Sequence, residues 1–210
     1  MVRLRGVCFG SFPVRGGGWP AEVEILQGLL LFRILWGLVG TYHARFASFL
    51  TVPWRALGYL PSVFRRDSVP PVGHSPVGGW ASLLLLALVG IQAGTGLFIS
   101  DDIFWAGPYN GAVSSDLAGT LAGVHHLNVN ILQGMVVLHV AVIGWYAWGR
   151  RVNLVTPMVT GRKDLPVALA GQGIESSHSL RALLLAMVSA AAIYLLLEMA
   201  PPPAPSDYVF

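Results

Sequence analysis

Four apolar stretches limit what this chain can fold into. They cover residues 25–43 ("ILQGLLLFRILWGLVGTYH"), 78–99 ("GGWASLLLLALVGIQAGTGLFI"), 124–148, and 181–199 ("RALLLAMVSAAAIYLLLEM"). Each approaches the roughly 20 residues that an α-helix needs to cross a hydrocarbon core about 30 Å thick. In that medium a helix satisfies its backbone groups within a single segment. The sequence therefore predicts an all-α integral membrane helical bundle with four transmembrane helices. Composition agrees: of 210 residues, 54% are hydrophobic and 11% charged, with a mean hydropathy of +0.64. A soluble domain carries roughly 25% charged residues.

The charges fall between the apolar stretches. The first connecting loop holds Arg45, Arg55, Arg65 and Arg66, and the third holds Arg150, Arg151, Arg162 and Lys163. The second has no cation but carries Asp101, Asp102 and Asp116. Basic loops stay in the cytoplasm, so the first and third loops are expected inside and the second outside. The formal charge of +3 thus reads as an orientation signal and not as a nucleic-acid footprint. This places residues 1–20 outside, although they carry Arg3, Arg5 and Arg15 and no acid. A further helix upstream would remove that conflict, and the expectation is that the architecture has a first helix this chain lacks. Cys8 is the single cysteine, so neither an internal disulfide nor a Cys-x-x-Cys-His haem attachment is available.

The stretch "HHLNVNILQGMVVLH" at residues 125–139 opens on two histidines and closes on a third. A helix turns about 100° and rises about 1.5 Å per residue. His125 and His139 therefore differ by about 40° around the axis and lie about 21 Å apart along it, whereas His126 points to nearly the opposite side. One face thus offers an imidazole near each membrane surface. Imidazole is an axial ligand of haem iron, and Gly134, between the two along the axis, would let a flat macrocycle approach. The competing reading is that membrane histidines hydrogen-bond between helices, and this is the preferred reading for His126. Arg33 is expected to snorkel or to pair with a buried group; in a haem protein a propionate would serve. Asn128 and Asn130 are expected to bond between helices, Gly90 and Gly94 to form a small-residue packing pair, and Asp101 and Asp102 to cap the second helix. "SFLTVPWRALGYLPSVFRR" mixes aromatic and basic residues as interfacial segments do.

Beyond these patterns the chain resembles the bacterial cytochrome b561 family, particularly its larger members related to the b-type cytochrome subunits of hydrogenases. The resemblance rests on "LLLFRILWGLVGTYHARFASFL" at 29–50, "GHSPVGGW" at 73–80, "QAGTGLFISDDI" at 92–103, "HHLNVNILQGMVVLHVAV" at 125–142 and "RVNLVTPMVTGRK" at 151–163. It divides the chain into an atypical Gly/Arg-rich segment at 1–24, a cytochrome b561-like membrane domain at 25–163, a loop and C-terminal transmembrane helix at 164–200, and a Pro-rich tail at 201–210.

The resemblance implies a multi-pass protein of the bacterial inner membrane that carries up to two b haems. It would move electrons between a quinone or a partner dehydrogenase and another redox protein in a respiratory chain. His125 and His139 would be axial ligands. Outside what the resemblance implies, Arg33 is a further candidate cofactor contact, and His43 and His74, which are not the family's usual axial ligands, and His126 are less favoured candidate ligands. The family's other two axial histidines come from its first helix and the start of its second. Nothing here matches the former, and the place of the latter falls near Trp19. Implied partners are the lipid bilayer, a quinone, a c-type cytochrome or dehydrogenase subunit, and a second copy in a homodimer. The alternative is a haem-less or haem-deficient membrane anchor for a redox partner. Either way the chain would be an electron-transfer protein or an oxidoreductase subunit, not a stand-alone enzyme.

Overall fold

The computed structural model describes residues 21–65, 71–100, 106–162, 173 and 176–201. The N-terminal segment at 1–20, Trp19 included, the Asp101–Asp102 cap, and the tail from residue 202 lie outside the described residues, as do Arg66 and Lys163.

Each apolar stretch forms a helix: α1 Ala21–Val39, α4 Pro76–Gly96, α5 Ser115–Gly144 and α7 Ser179–Glu198. Between them lie the short α2 Phe46–Phe49, α3 Pro53–Phe64 and α6 Val155–Thr160. Local chemistry sets the ends. Ser75 caps α4 by accepting from the Gly78 N–H, and Pro76 occupies the first helical turn, where its missing N–H costs nothing. Ser114 caps α5 through the Leu117 N–H, with Asp116 in the first turn against the positive end of the helix dipole. This is why α5 begins at Ser115 and not at residue 124: the start is written in capping residues rather than in hydropathy. At its far end α5 runs into a π-helical turn, Trp145–Gly149.

Among the described residues three helices are long and apolar enough to cross a membrane: Pro76–Gly96, Ser115–Gly149 and Ser179–Glu198. The expected fourth forms as α1, but Glu22, Glu24 and Arg33 fall within its 19 residues, and each charge is costly in hydrocarbon. These three charges, and not its length, set α1 apart from the other three. Large apolar side chains of α5 and α7, such as Val137, Val140, Leu183 and Met187, point outward and are exposed. Such a surface calls for lipid as its solvent.

Helix α1 packs on α7 and α4 on α5, and an α1–α4 contact joins the two pairs. Arg181, near the start of α7, donates to the Val39 carbonyl at the end of α1 at 3.3 Å. At the opposite end the Tyr109 hydroxyl donates to Leu196 O. The four long helices therefore alternate in direction. One consequence is a sorting of charge: Arg45, Arg55, Arg65, Arg150, Arg151, Arg162 and Arg181 belong to one end of the bundle. Glu22, Glu24, Asp116 and Glu198 belong to the other.

At the basic end, Phe46 and Phe49 of α2 seat on two glycines. A Cβ at Gly37 would collide with the Phe46 ring, and one at Gly79 would come within 2.9 Å of Phe49. The neighbouring α3 is amphipathic, with Ala56 and Val63 buried while Trp54, Leu57 and Phe64 are exposed. It rests on α4, and the Trp145 indole N–H donates to Val63 O at 3.1 Å. Two expectations are corrected here. A Cβ added at Gly90 or Gly94 would meet no atom within 4 Å, so among the described residues the pair seats no neighbouring helix. Asn130 donates to His126 O in its own helix at 2.8 Å and does not reach a neighbour, because its position on α5 is exposed.

Candidate functional site

The helical register of α5 brings His125, Asn128, Leu132 and Met135 onto the stripe that meets α4, with His139 at its end. At the level of His125, α4 presents Gln92 and Thr95, three residues apart and so on one face. The His125 ring sits between them, with Nδ1 2.9 Å from Thr95 Oγ1 and Nε2 2.6 Å from Gln92 Nε2. Asn128, one turn along and buried, donates to Gln92 Oε1 at 2.7 Å and to Leu88 O at 2.9 Å. The interhelical role expected of Asn128 is thus present. Gln92 and Thr95 were not singled out as site residues. Their signal was available: two hydrogen-bonding side chains with helical spacing inside an apolar helix, opposite the histidine stretch.

His139 stands in a different setting. It lines a groove of about 380 Å³ walled by Leu26, Leu29 and Leu30 of α1 and Leu85, Leu86 and Val89 of α4; Ser82 and Arg33 complete the lining. The Arg33 guanidinium lies 5.2 Å from the centre of the Phe46 ring and donates to Ala44 O at 3.4 Å. Both contacts draw it toward the basic end of the bundle. That end also holds His43 and His74. Ring Nδ1 of His43 approaches Gly73 so closely that a Cβ there would stand 3.2 Å away. His74 stacks on Phe49, centroids 4.4 Å apart. Although His74 is otherwise largely open, desolvation of its ring, then the charges of Arg33 and His43, hold its imidazolium below the ordinary histidine range. His126 is exposed and meets His125 edge-on at 6.1 Å.

Of the expected site residues, the fold brings Arg33 and His139 together in one groove. His125 sits elsewhere, in the α4–α5 contact. His43 and His74 gather near Arg33 without lining the groove. The fold and site define a class: multi-pass α-helical membrane proteins in which an imidazole and a guanidinium line one apolar interhelical groove. Residues 25–161 match the family model of prokaryotic cytochrome b561. The chain belongs to that family, which makes it a multi-pass bacterial membrane b-type cytochrome for electron transfer. No curated protein and no solved structure matches the chain.

The family implies b-type haem, and the groove's donor set fits one. His139 offers an imidazole nitrogen, Arg33 a counter-charge for a propionate, and the leucines an apolar wall. At His125 an imidazole is present, but both ring nitrogens already have partners on α4.

Proposed function

We propose that this chain carries electrons across or within the bacterial inner membrane, between a quinone or partner dehydrogenase and another redox protein such as a c-type cytochrome. In this reading His139 is an axial ligand of haem b in the α1–α4–α5 groove, and Arg33 binds a propionate. His125 is an axial ligand of a second haem nearer the acidic end. Bound haem supplies one-electron exchange at its iron; the chain's own residues hold it, keep water away with leucine walls and balance its acidic groups. The basic end faces the cytoplasm, in line with the sorting of arginines from acids. A quinone, a dehydrogenase subunit or a second copy of the chain would dock on this frame.

The observation that carries the reading is the shared groove of His139 and Arg33. The test is the reduced-minus-oxidised absorption spectrum of protein purified from haem-replete cells, with haem counted per polypeptide. Sharp reduced bands that disappear in His139→Ala support it. Colourless wild-type protein that still co-purifies with a redox subunit supports the second reading, a haem-less anchor. That second reading is favoured by one specific observation, the complete hydrogen bonding of the His125 ring by protein groups.

A further inference from the structure

The contacts around His125 form a chain whose proton directions are all forced. The Thr95 hydroxyl has one proton, and it goes to Ile91 O at 2.7 Å. Toward His125 Nδ1, 2.9 Å away, Thr95 Oγ1 can then only accept. Nδ1 therefore carries the proton, and the lone pair of the neutral ring is on Nε2. The other end of the chain is fixed independently. Asn128 Nδ2 donates to Leu88 O, which orients its amide, and the same nitrogen donates to Gln92 Oε1. That sets the Gln92 amide with its N–H groups toward His125, 2.6 Å from Nε2. Two backbone carbonyls of α4, Leu88 O and Ile91 O, thus polarise one continuous path through three side chains and an imidazole, and every other assignment sets a donor against a donor or an acceptor against an acceptor.

We infer that Gln92 caps the metal-binding lone pair of His125, while Thr95 positions the ring by fixing its tautomer. The Gln92 amide and an iron compete for the same orbital. An iron at His125 would need the lone pair that the Gln92 amide now holds, while Thr95 would keep Nδ1–H, the arrangement that orients a metal-bound imidazole. Thr95 thus supports both states, whereas Gln92 supports only the unligated one. This inference rests on the haem-binding reading above, but its first readout does not.

That readout is the ¹⁵N resonances of His125 in haem-free protein held in lipid nanodiscs. Wild type should show a protonated Nδ1 and a hydrogen-bonded, unprotonated Nε2. Gln92→Leu and Gln92→Ala should both move the Nε2 resonance toward that of a free lone pair. Thr95→Val should mix the tautomers, and Thr95→Ser, which keeps the acceptor, should restore one. The second readout is titration with ferric haem in a His139→Ala background, which isolates His125. Removing the cap should tighten binding about tenfold, the scale of one net hydrogen bond. A wild-type ring protonated on Nε2, an Nε2 resonance unmoved by both Gln92 variants, or equal haem affinity with and without Gln92 overturns the inference. If every form, His139 intact or not, refuses haem, the proposed function falls, and the nitrogen resonances alone then decide whether Gln92 caps the ring.

Discussion

Arg33 of α1 and His139 of α5 line the same groove, together with leucines of α1 and α4. The two residues lie far apart in sequence, and three helices must pack before they share a space. The alternating helix directions put the end of α1 and the end of α5 at one surface, where Arg33 also reaches Ala44 O and the Phe46 ring. The groove therefore pairs an imidazole with a positive charge close to the basic end of the bundle.

If the groove holds haem, the two residues should fail differently. His139→Ala removes the ligand and should abolish haem in the groove. Arg33→Leu keeps the ligand but removes a charge-assisted contact worth about 1.5–3 kcal/mol, so haem affinity should fall about ten- to a hundredfold while the bands keep their positions. Haem titration of each purified variant, read by absorbance, checks both. Unchanged affinity in Arg33→Leu would remove the propionate role.

A second consequence concerns pH. His74 has its pKa lowered by ring desolvation, by Arg33 and by His43. The unfolded chain, with an ordinary value near about 6.5, therefore binds the proton more readily than the folded one. By linkage, stability is fully present above about pH 6.5 and is lost as pH falls toward the lowered folded value. Thermal unfolding in detergent should show Tm dropping between about pH 7.5 and 5.5, and His74→Gln should flatten that drop. A parallel slope in the variant would show that His74 is not its source.

The helices were legible because hydropathy and a 3.6-residue period write them directly into the sequence. Where hydropathy is silent, the sequence had to be read through caps, and Ser114 with Asp116 moved the start of α5 well before its apolar run. In α1 the charges Glu22 and Glu24 precede the apolar run and Arg33 lies within it. The one-face relation of His125 and His139 follows from spacing alone, yet their different settings do not. A groove and a capped ring depend on which residues α1 and α4 bring opposite them, and that is a property of packing. Gln92 illustrates the gap: its type and place were visible, but its partner was not until α4 met α5. Asn128 and Asn130 looked equivalent in sequence, and only the orientation of α5 separates the buried bridge from the exposed local bond.

Asn128 is a buried polar side chain that ties α5 to α4 through two bonds. Asn128→Leu removes both and leaves Gln92 Oε1 without its donor. Interhelical hydrogen bonds in membranes average less than 1 kcal/mol, but an orphaned buried acceptor adds its own cost. The expected loss is about 1–2 kcal/mol, measured by equilibrium unfolding in mixed micelles. Asn130→Leu, on an exposed position of the same helix, should stay within about 0.5 kcal/mol of wild type. Equal losses would mean that the bridge contributes nothing particular.

The exposed face of α3 makes the last prediction. Trp54 is 70% exposed and Phe64 69%, with Leu57 between them on the same side, while Arg55 lies in the first turn of the helix and Arg65 at its C-terminal end. Its inner face, Ala56 and Val63, is taken up by the bundle. The outward aromatic residues and the arginines suit the headgroup layer, where rings sit at the apolar boundary and cations meet anionic lipid. With the other tryptophans replaced by phenylalanine, Trp54 fluorescence should be quenched most by lipids brominated near the top of the acyl chain and least by those brominated near the bilayer centre. Arg55→Gln with Arg65→Gln should weaken that quenching in anionic bilayers and leave it unchanged in neutral ones. Strong quenching by an aqueous quencher in lipid bilayers would instead put α3 in water, leaving its apolar face for a protein partner to cover.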